Sequence, residues 1–595
     1  MLTVVCAALL LAAPAASATP KDDFMEAALD AMKAVLDAKS RLALMPPDTF
    51  PPMAEATAKG YKVGPVVLTT GQKIDPSSGA YNKFKPNIPT YQPAGILDGI
   101  GAYTLKDGIV RVFVNHEINN DRGTPYELSD GQGGTWKLIG ARVSYLDIDK
   151  DTREVLDGGI AYNTIYDADG NIAKNTSIFQ VFEGERFKGL DRFCSSQLVP
   201  AKQFKDGRGH VDSIYYTGEE TGSFFSTVGG AMWALDPQRG DLWQVPALGR
   251  GAWENVAELD TGDKEKVALI LMDDSAPFDA DDFDANQMAG DNETEAAPAY
   301  LYIGVKDPAG DFLSRNGLRG GKLYVWVSDT GDRTPLDFRG SGSRKGKWVE
   351  IDNSTTEDEA LKSDDGSTGF DQFSYPTQRT LWTRAEDLGA FGFSRPEDVA
   401  TNPKDGKEAV FASTGTVYII KTDFKDLSAR VTILYDGDAD EKRRLRSPDN
   451  LDWADDGFIY VQEDEAEETT LTGEPLFGEG AANPNEAGIV RIDPHTKAPA
   501  LLRVANIDRD VVLDASIANP TDAVDVDAGD AGEWESSGIL DVSELFDEKP
   551  GTLFLFNVQA HGITDQAQFN EGSAIIDEDL VEGGQMIFLE KAEKA

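Results

Sequence analysis

The stretch GKLYVWVSD at Gly321–Asp329 shows the unit that decides the fold: a glycine, then a short apolar or alternating strand, which in many copies stops at an acidic or Asp-Pro turn. The unit recurs at uneven spacing, at 140–149, 230–237, 415–423, 457–464, 488–494 and 551–558. Irregularly repeated strands predict one all-β propeller rather than a short-period solenoid. Separate β-sandwiches are the rival architecture, but no Pro/Ser-rich linker divides the chain. The longest polar insertions, 273–295, 352–378 and 519–537, are expected to be long inserted loops at the faces of the propeller.

The N-terminal region differs from this pattern. Residues 1–18 are uncharged and apolar and end in Ala16–Ala18, which predicts a signal peptide cleaved near Ala18 and export to the periplasm or the extracellular space. Residues 19–60 form a predicted helical segment with one amphipathic helix over 21–45. Residues 61–595 are then the single propeller domain. No later stretch reaches the roughly 18 apolar residues of a membrane span.

The charge of the chain limits its partners. Among 595 residues, 103 are acidic and 56 are basic, which gives a net charge of −47. Such a surface repels phosphate backbones and anionic membranes, so nucleic acid is not expected as a partner. Hard cations such as calcium suit it well. Alternatively, much of the excess acid only keeps the surface solvated.

Familiar catalytic motifs are missing from the sequence. There are four histidines and no HExxH, GxSxG or P-loop motif. Instead, short polar clusters follow or precede apolar strands, at 115–117, 218–220, 253–255, 273–274, 395–398, 447–450, 463–464 and 557–561. In a closed propeller, such strand ends can converge on the central channel, where many carboxylates need cations to neutralise them. Each cluster alone is also typical of an ordinary turn.

Two further residues are candidates for this site. Cys194 is the one cysteine left after removal of the signal peptide, so it has no partner for an internal disulfide. It is either buried and inert, bound to a metal such as ferric iron, or paired between molecules. The guanidinium of Arg395 suits a bidentate grip on an anionic oxygen beside metals, or else an ion pair that stabilises a turn.

The ordered set of motifs resembles the PhoX-type alkaline phosphatases. The matching pieces are VNHE at 114–117, a cysteine followed by the pair 219–220, GRGAWE at 249–254, the pair 273–274, SRPED at 394–398, SPDNL at 447–451 and NVQAH at 557–561. The resemblance implies a six-bladed propeller with calcium and iron at the channel mouth. It also implies hydrolysis of phosphate monoesters outside the cytoplasm.

Carried over by position, the resemblance implies site residues. Cys194 matches an iron ligand, Glu254 and Glu397 match metal-bridging glutamates, and Arg395 and Asn450 match groups near the phosphate. The full set of predicted metal ligands is Cys194, Glu117, Glu219, Glu220, Glu254, Asp273, Glu397 and Asp449.

The leading hypothesis is therefore an exported metal-dependent phosphoesterase that acts on small phosphate esters. Two alternatives stay open. The chain is a non-catalytic, calcium-binding extracellular propeller, or it is a calcium-dependent hydrolase of another ester such as a lactone.

Overall fold

The computed structural model describes residues 51–74, 91–182, 185–222, 226, 228–275, 297–351, 369–371, 373, 375–464, 475–496, 500–513, 525, 529–563 and 580–592. The predicted signal peptide and the amphipathic helix over 21–45 lie outside these residues. So do 276–296, 352–368 and 514–524, which cover most of the first two predicted insertions and the beginning of the third.

Strands make up nearly half of the described chain and most of its regular structure, and they match the short apolar runs of the sequence. The first are β1 (Ala54–Ala56), β2 (Tyr61–Thr69), β3 (Leu97–Lys106), β4 (Ile109–His116), β5 (Tyr126–Ser129), β6 (Thr135–Gly140), β7 (Arg142–Asp149), β8 (Val155–Ile160), β9 (Thr164–Tyr166), β10 (Val181–Phe182), β11 (Glu185–Arg186) and β12 (Gly189–Leu190). The next are β13 (Phe193–Val199), β14 (Ile214–Glu219), β15 (Gly230–Asp236), β16 (Asp241–Gln244), β17 (Arg250–Gly251), β18 (Trp253–Leu259), β19 (Lys266–Asp273), β20 (Ala297–Pro298), β21 (Tyr300–Val305), β22 (Lys322–Ser328) and β23 (Gly342–Ile351).

The remaining strands complete the sheets. They are β24 (Gly392–Phe393), β25 (Pro396–Thr401), β26 (Glu408–Ser413), β27 (Thr416–Asp423), β28 (Ser428–Asp436), β29 (Pro448–Trp453), β30 (Ile459–Glu463), β31 (Gly488–Asp493), β32 (Ala500–Ile507), β33 (Glu535–Asp541), β34 (Leu553–Ala560) and β35 (Gly583–Lys591). Helices within the described ranges are short: α1 (Phe312–Arg315), α2 (Gln378–Asp387) and α3 (Asp510–Leu513), with 3-10 turns at Thr176–Ile178, Lys205–Gly207, Pro246–Leu248, Pro335–Asp337 and Glu544–Phe546.

The sheets are built from four-stranded antiparallel units, which we label A to F in chain order. Unit A is β3, β4, β7 and β8; B is β13–β16; C is β18, β19, β21 and β22; D is β25–β28; E is β29–β32; and F is β33–β35 with β2. The first strand of each unit contacts the first strand of the next, and that of F contacts that of A, so these inner strands form a closed ring. This arrangement confirms the predicted all-β propeller.

The first and last parts of the described chain pair with each other. Strand β2 pairs with β35 to complete unit F, and β1 pairs with β32 at the edge of unit E. Strand β1 lies within the predicted 19–60 segment. Strand β23 bridges the outer edges of units C and D. The ring is therefore held by pairing between strands that are far apart in the sequence.

The core lies between neighbouring sheets. Strand β4 is buried along its whole length and β19 along nearly all of its length, because both faces of an inner pair are covered. Between units C and D, for example, Trp326, Phe393, Phe411 and Tyr418 pack together. In the described ranges, every helix is too short or too polar to cross a bilayer.

Candidate metal centre

The first two strands of each unit form its inner hairpin, and these hairpins share the same pairing register at one end. The first residue of the inner strand faces the last residue of the second strand in A, B, C, D and E, and Glu535 faces Gln559 near that end in F. The pairs are Leu97 with His116, Phe193 with Glu219, Trp253 with Asp273, Pro396 with Ser413, and Pro448 with Glu463. Polar residues next to these paired positions therefore meet at one face of the propeller, around the channel.

A β-bulge follows the first residue of five inner strands. The ladder slips at the dipeptides 98–99, 194–195, 254–255, 397–398 and 449–450. A bulge bends the strand and redirects side chains, and bulges are common beside functional sites. In each case the first bulge residue is Asp, Cys or Glu: Asp98, Cys194, Glu254, Glu397 and Asp449.

These side chains form four connected groups that could hold metal ions. Within each group, one ligand atom from every member lies within 4.8 Å of the others. The groups are Asp98–Glu117–Cys194, Cys194–Glu220–Glu254, Glu254–Glu397–Asp449 and Asp449–Asp464–Glu535. Because neighbouring groups share Cys194, Glu254 and Asp449, they run as one continuous chain across the mouth of the channel. This arrangement suits several ions rather than one.

Strained backbone surrounds the same centre. The residue directly before the inner strand has a left-handed φ in four units: Ile96 (48°), Arg192 (40°), Arg395 (38°) and Ser447 (34°). Non-glycine residues in this region cost about 1–3 kcal/mol each, and they persist where the surrounding structure requires them. The repetition at equivalent positions indicates that the strain belongs to the construction of the site.

Burial makes the centre hard to ionise without cations. Burial, and next the charge of Glu117, raises the pKa of Asp98 to about 8. For the same main reason, the pKa values of Glu220, Glu254, Glu397, Asp449 and Glu535 are raised well above the ordinary range, although Arg192 opposes the shift at Glu220 and Arg395 opposes it at Glu397. A bound cation reverses this effect because it favours the charged carboxylate.

The donor set fits metals of two kinds. The Cys194 thiol is buried, and its Sγ donates to Oδ2 of Asp98 at 3.2 Å. Oδ1 of Asp98 and Oε1 of Glu535 are buried without a hydrogen-bond partner among the described residues. A thiolate suits a transition metal, whereas carboxylate oxygens suit calcium. The residues present therefore fit the predicted calcium and iron.

Two arginines stand at the edge of the centre. Nε and Nη2 of Arg395 each donate at 2.8 Å to a different carboxylate oxygen of Asp274. Nη2 of Arg192 donates at 2.7 Å to both oxygens of Glu220 and lies 3.0 Å from Oε1 of Glu117. Both guanidinium groups offset part of the negative charge.

Asn450 is buried below the centre. Its Nδ2 donates to Oδ2 of Asp449 at 2.7 Å and to the hydroxyl of Ser195 at 3.0 Å. It lines an axial cavity of about 110 Å³ to which all six inner strands contribute. Asn450 therefore orients a carboxylate of the third and fourth groups.

Two of the predicted ligands lie outside the four groups. Glu219 accepts the backbone N–H groups of Asp191 and Ala231. Asp273 accepts four donors from the protein, namely the N–H of Ala252, the hydroxyl of Ser275, Nε2 of Gln378 and Nε1 of Trp382. Both carboxylates are thus hydrogen-bonded to donors of the protein in this structure. The other six predicted ligands, Glu117, Cys194, Glu220, Glu254, Glu397 and Asp449, all belong to the groups.

Sequence reasoning did not select four residues of the centre. Asp98 is a single acid in the run LDGIGAY, which gives no signal of its own. Glu535 falls inside the predicted insertion 519–537, whose last residues instead begin β33. Asp464 belongs to the polar cluster at 463–464 but is not among the predicted metal ligands. Arg192 had a signal, since it precedes Cys194 by two residues as Arg395 precedes Glu397.

Comparison with known proteins adds information about the fold. No protein-family model and no curated protein matches the sequence. The solved structure of Pseudomonas fluorescens PhoX, in complex with the transition-state analogue vanadate, is similar with a TM-score of 0.54 and 15% identity, over 92% of this chain and 98% of that one. A candidate phosphatase structure from Bacteroides thetaiotaomicron aligns with 10% identity over 85% of this chain and 98% of that one, with a TM-score of only 0.24. The chain is thus similar in fold to the Pseudomonas fluorescens PhoX propeller.

Proposed function

We propose that this protein is an exported, metal-dependent phosphoesterase that hydrolyses phosphate monoesters at the mouth of the propeller channel. The observation that carries the proposal is the chain of four ligand groups, which share Cys194, Glu254 and Asp449. The fold similarity to PhoX supports it. The signal peptide predicted to end near Ala18 supports export.

The proposed metals are calcium and iron. Cys194 with Asp98 and Glu117, or with Glu220 and Glu254, would hold iron, because these are the groups that contain the thiol. The all-carboxylate groups would hold calcium. When bound, such ions supply Lewis-acid polarisation of the phosphoryl group and an activated water for attack on phosphorus.

The side chains of the protein have separate tasks in this reaction. Arg395 is 23% exposed and carries positive charge at the edge of the centre, where it offsets the charge that develops on the phosphoryl group. Asp274 accepts hydrogen bonds from Nε and Nη2 of Arg395 and so fixes the orientation of the guanidinium group. Asn450 keeps Asp449 in place through the hydrogen bond between them. The negative charge of the ionised carboxylates would repel an anionic substrate unless bound cations offset it.

Glu254 and Glu258 provide a matched pair for the test, because both are buried on β18 and only Glu254 belongs to the ligand groups. The protein is purified without chelators or a metal-affinity tag, and metal content and turnover of p-nitrophenyl phosphate are measured. We expect calcium and iron in the wild type. In Glu254→Gln we expect loss of metal and a fall of about 100-fold or more in kcat/KM, a size typical of removing a group that stabilises the transition state. Glu258→Gln keeps both properties.

Other results would contradict the proposal. Equal turnover by chelated and reloaded protein would exclude a metal-dependent phosphoesterase. Calcium without turnover of any ester would favour the binding propeller, and turnover of lactones alone would favour the other hydrolase. Detection of the uncleaved N-terminus in exported protein would contradict cleavage near Ala18.

A further inference from the structure

Arg192 and Arg395 occupy equivalent places in units B and D. Each directly precedes an inner strand, and each has a left-handed φ, of 40° and 38° respectively. Each also reaches an acid that follows the second strand of the preceding unit, Glu117 for Arg192 and Asp274 for Arg395. The same local backbone arrangement thus places one guanidinium group in unit B and one in unit D, both at the edge of the centre.

The two arginines differ in how many of their guanidinium nitrogens donate hydrogen bonds to other residues of the protein. In Arg395, Nε and Nη2 are both taken by Asp274. In Arg192, Nη2 makes all of the contacts with Glu220 and Glu117. Nε of Arg192 is buried and has no hydrogen-bond partner within the described ranges. Its Nη1 also makes no hydrogen bond to another described residue, while the side chain is 33% exposed.

The carboxylates around Arg192 keep it in place. Glu117 and Glu220 are members of the first and second ligand groups, which share Cys194. The backbone is held as well, because the N–H of Arg192 donates to the carbonyl of Ile118 and its carbonyl accepts the N–H of Glu220. A guanidinium held in this way, in a side chain that is one-third exposed, loses little conformational freedom when it binds an anion.

We propose that Arg192 is a substrate-binding residue whose Nη1 donates a charge-assisted hydrogen bond to a non-bridging oxygen of the phosphoryl group. This inference rests on the proposed phosphoesterase function. It assigns direct contact with the substrate to Arg192, whereas Arg395 already gives Nε and Nη2 to Asp274. Arginine suits this task because its planar fork can hold a carboxylate with one nitrogen and an anionic ligand with another.

The test uses Arg192→Lys in the metal-loaded protein. Lysine keeps the charge beside Glu117 and Glu220 but lacks the fork. We expect the KM for p-nitrophenyl phosphate and the inhibition constant of inorganic phosphate to rise about 10- to 100-fold. This is the loss of affinity expected when one hydrogen bond to a charged group is removed. The metal content and the thermal midpoint stay at wild-type values. Arg208→Lys is the control, because Arg208 makes a bidentate pair with Asp260, which follows β18 at the end opposite the centre.

Each result decides the inference. If Arg192→Lys binds phosphate as tightly as the wild type, Arg192 does not contact the substrate, although the phosphoesterase function stands. Loss of metal from this variant would make Arg192 a structural partner of the ligands and would also overturn the inference. If the wild type neither hydrolyses phosphate esters nor binds phosphate, the proposed function itself fails. In Arg192→Ala, recovery of phosphate affinity on addition of guanidinium at millimolar concentration would support direct contact.

Discussion

Removal of the metals should make the stability of the protein strongly dependent on pH. The pKa of Asp98 is raised from 3.8 to about 8 in the folded protein. Between these two values the folded chain holds one proton more than the unfolded chain. Stability is therefore fully present at low pH and is lost as pH rises, by about 1.4 kcal/mol per pH unit for this one group. From pH 5 to pH 7, Asp98 alone should cost the metal-free protein roughly 3 kcal/mol.

The metal-loaded protein should not show this loss at the centre. Bound cations keep the carboxylates charged at all of these pH values, so no proton is released there. Glu258 lies at the other end of β18, and burial raises its pKa to about 8 as well. Its contribution is the same in both forms, so the difference between the two pH profiles isolates the metal centre.

The assay is urea unfolding followed by tryptophan fluorescence at pH 5, 6, 7 and 8, with chelated and metal-loaded protein. Asp98→Asn in the chelated protein should remove about 1.4 kcal/mol per pH unit from the slope, because it removes one titrating group. Identical pH profiles for the chelated and loaded proteins would refute the reasoning. An unchanged slope in Asp98→Asn would refute the part assigned to Asp98.

Three further substitutions separate ligands from structural residues. Cys194→Ser should lose iron in elemental analysis while its far-UV circular dichroism stays unchanged, and iron retained at the wild-type level would place the thiol outside the metal site. Asp273→Ala should keep its metal but lose about 3 kcal/mol of unfolding free energy in urea, since four donors lose their acceptor. A loss of metal there would show that Asp273 is a ligand after all. Arg446→Met should destabilise by about 3–5 kcal/mol, because buried Glu463 keeps only Arg503 as a partner and three backbone carbonyls lose their donor; a midpoint within error of the wild type would contradict this.

The sequence was most informative about the strands and their ends. An apolar strand followed by an acid pair, as in ALILM before Asp273-Asp274, identifies a hairpin end from local residues alone. The same pattern marked Glu117 and Glu220. The pattern does not identify Asp98 and Glu535 as site residues, because a single acid beside glycine or inside a polar run is equally typical of a turn.

The neighbouring residues in the sequence do not reveal which acid of a pair has a structural role. Asp273 and Asp274 are adjacent, yet Asp273 accepts Trp382 and Gln378 from α2, whereas Asp274 holds Arg395. Which neighbour becomes structural depends on what another part of the chain brings to it. Arg395 likewise makes its bidentate pair with Asp274, 121 positions away, and only a longer contact of 3.8 Å with the nearby Glu397.

Composition and periodicity alone determined an all-β chain of repeated strands with a large excess of acid, because strand period, turn residues and charge are local properties. The closed ring decided the rest. It brought six inner strands to one axis, used a bulge in five of them to turn Asp98, Cys194, Glu254, Glu397 and Asp449 together, and joined these into connected ligand groups. Such convergence arises from pairing and packing between distant segments, so no local pattern in the sequence encodes it.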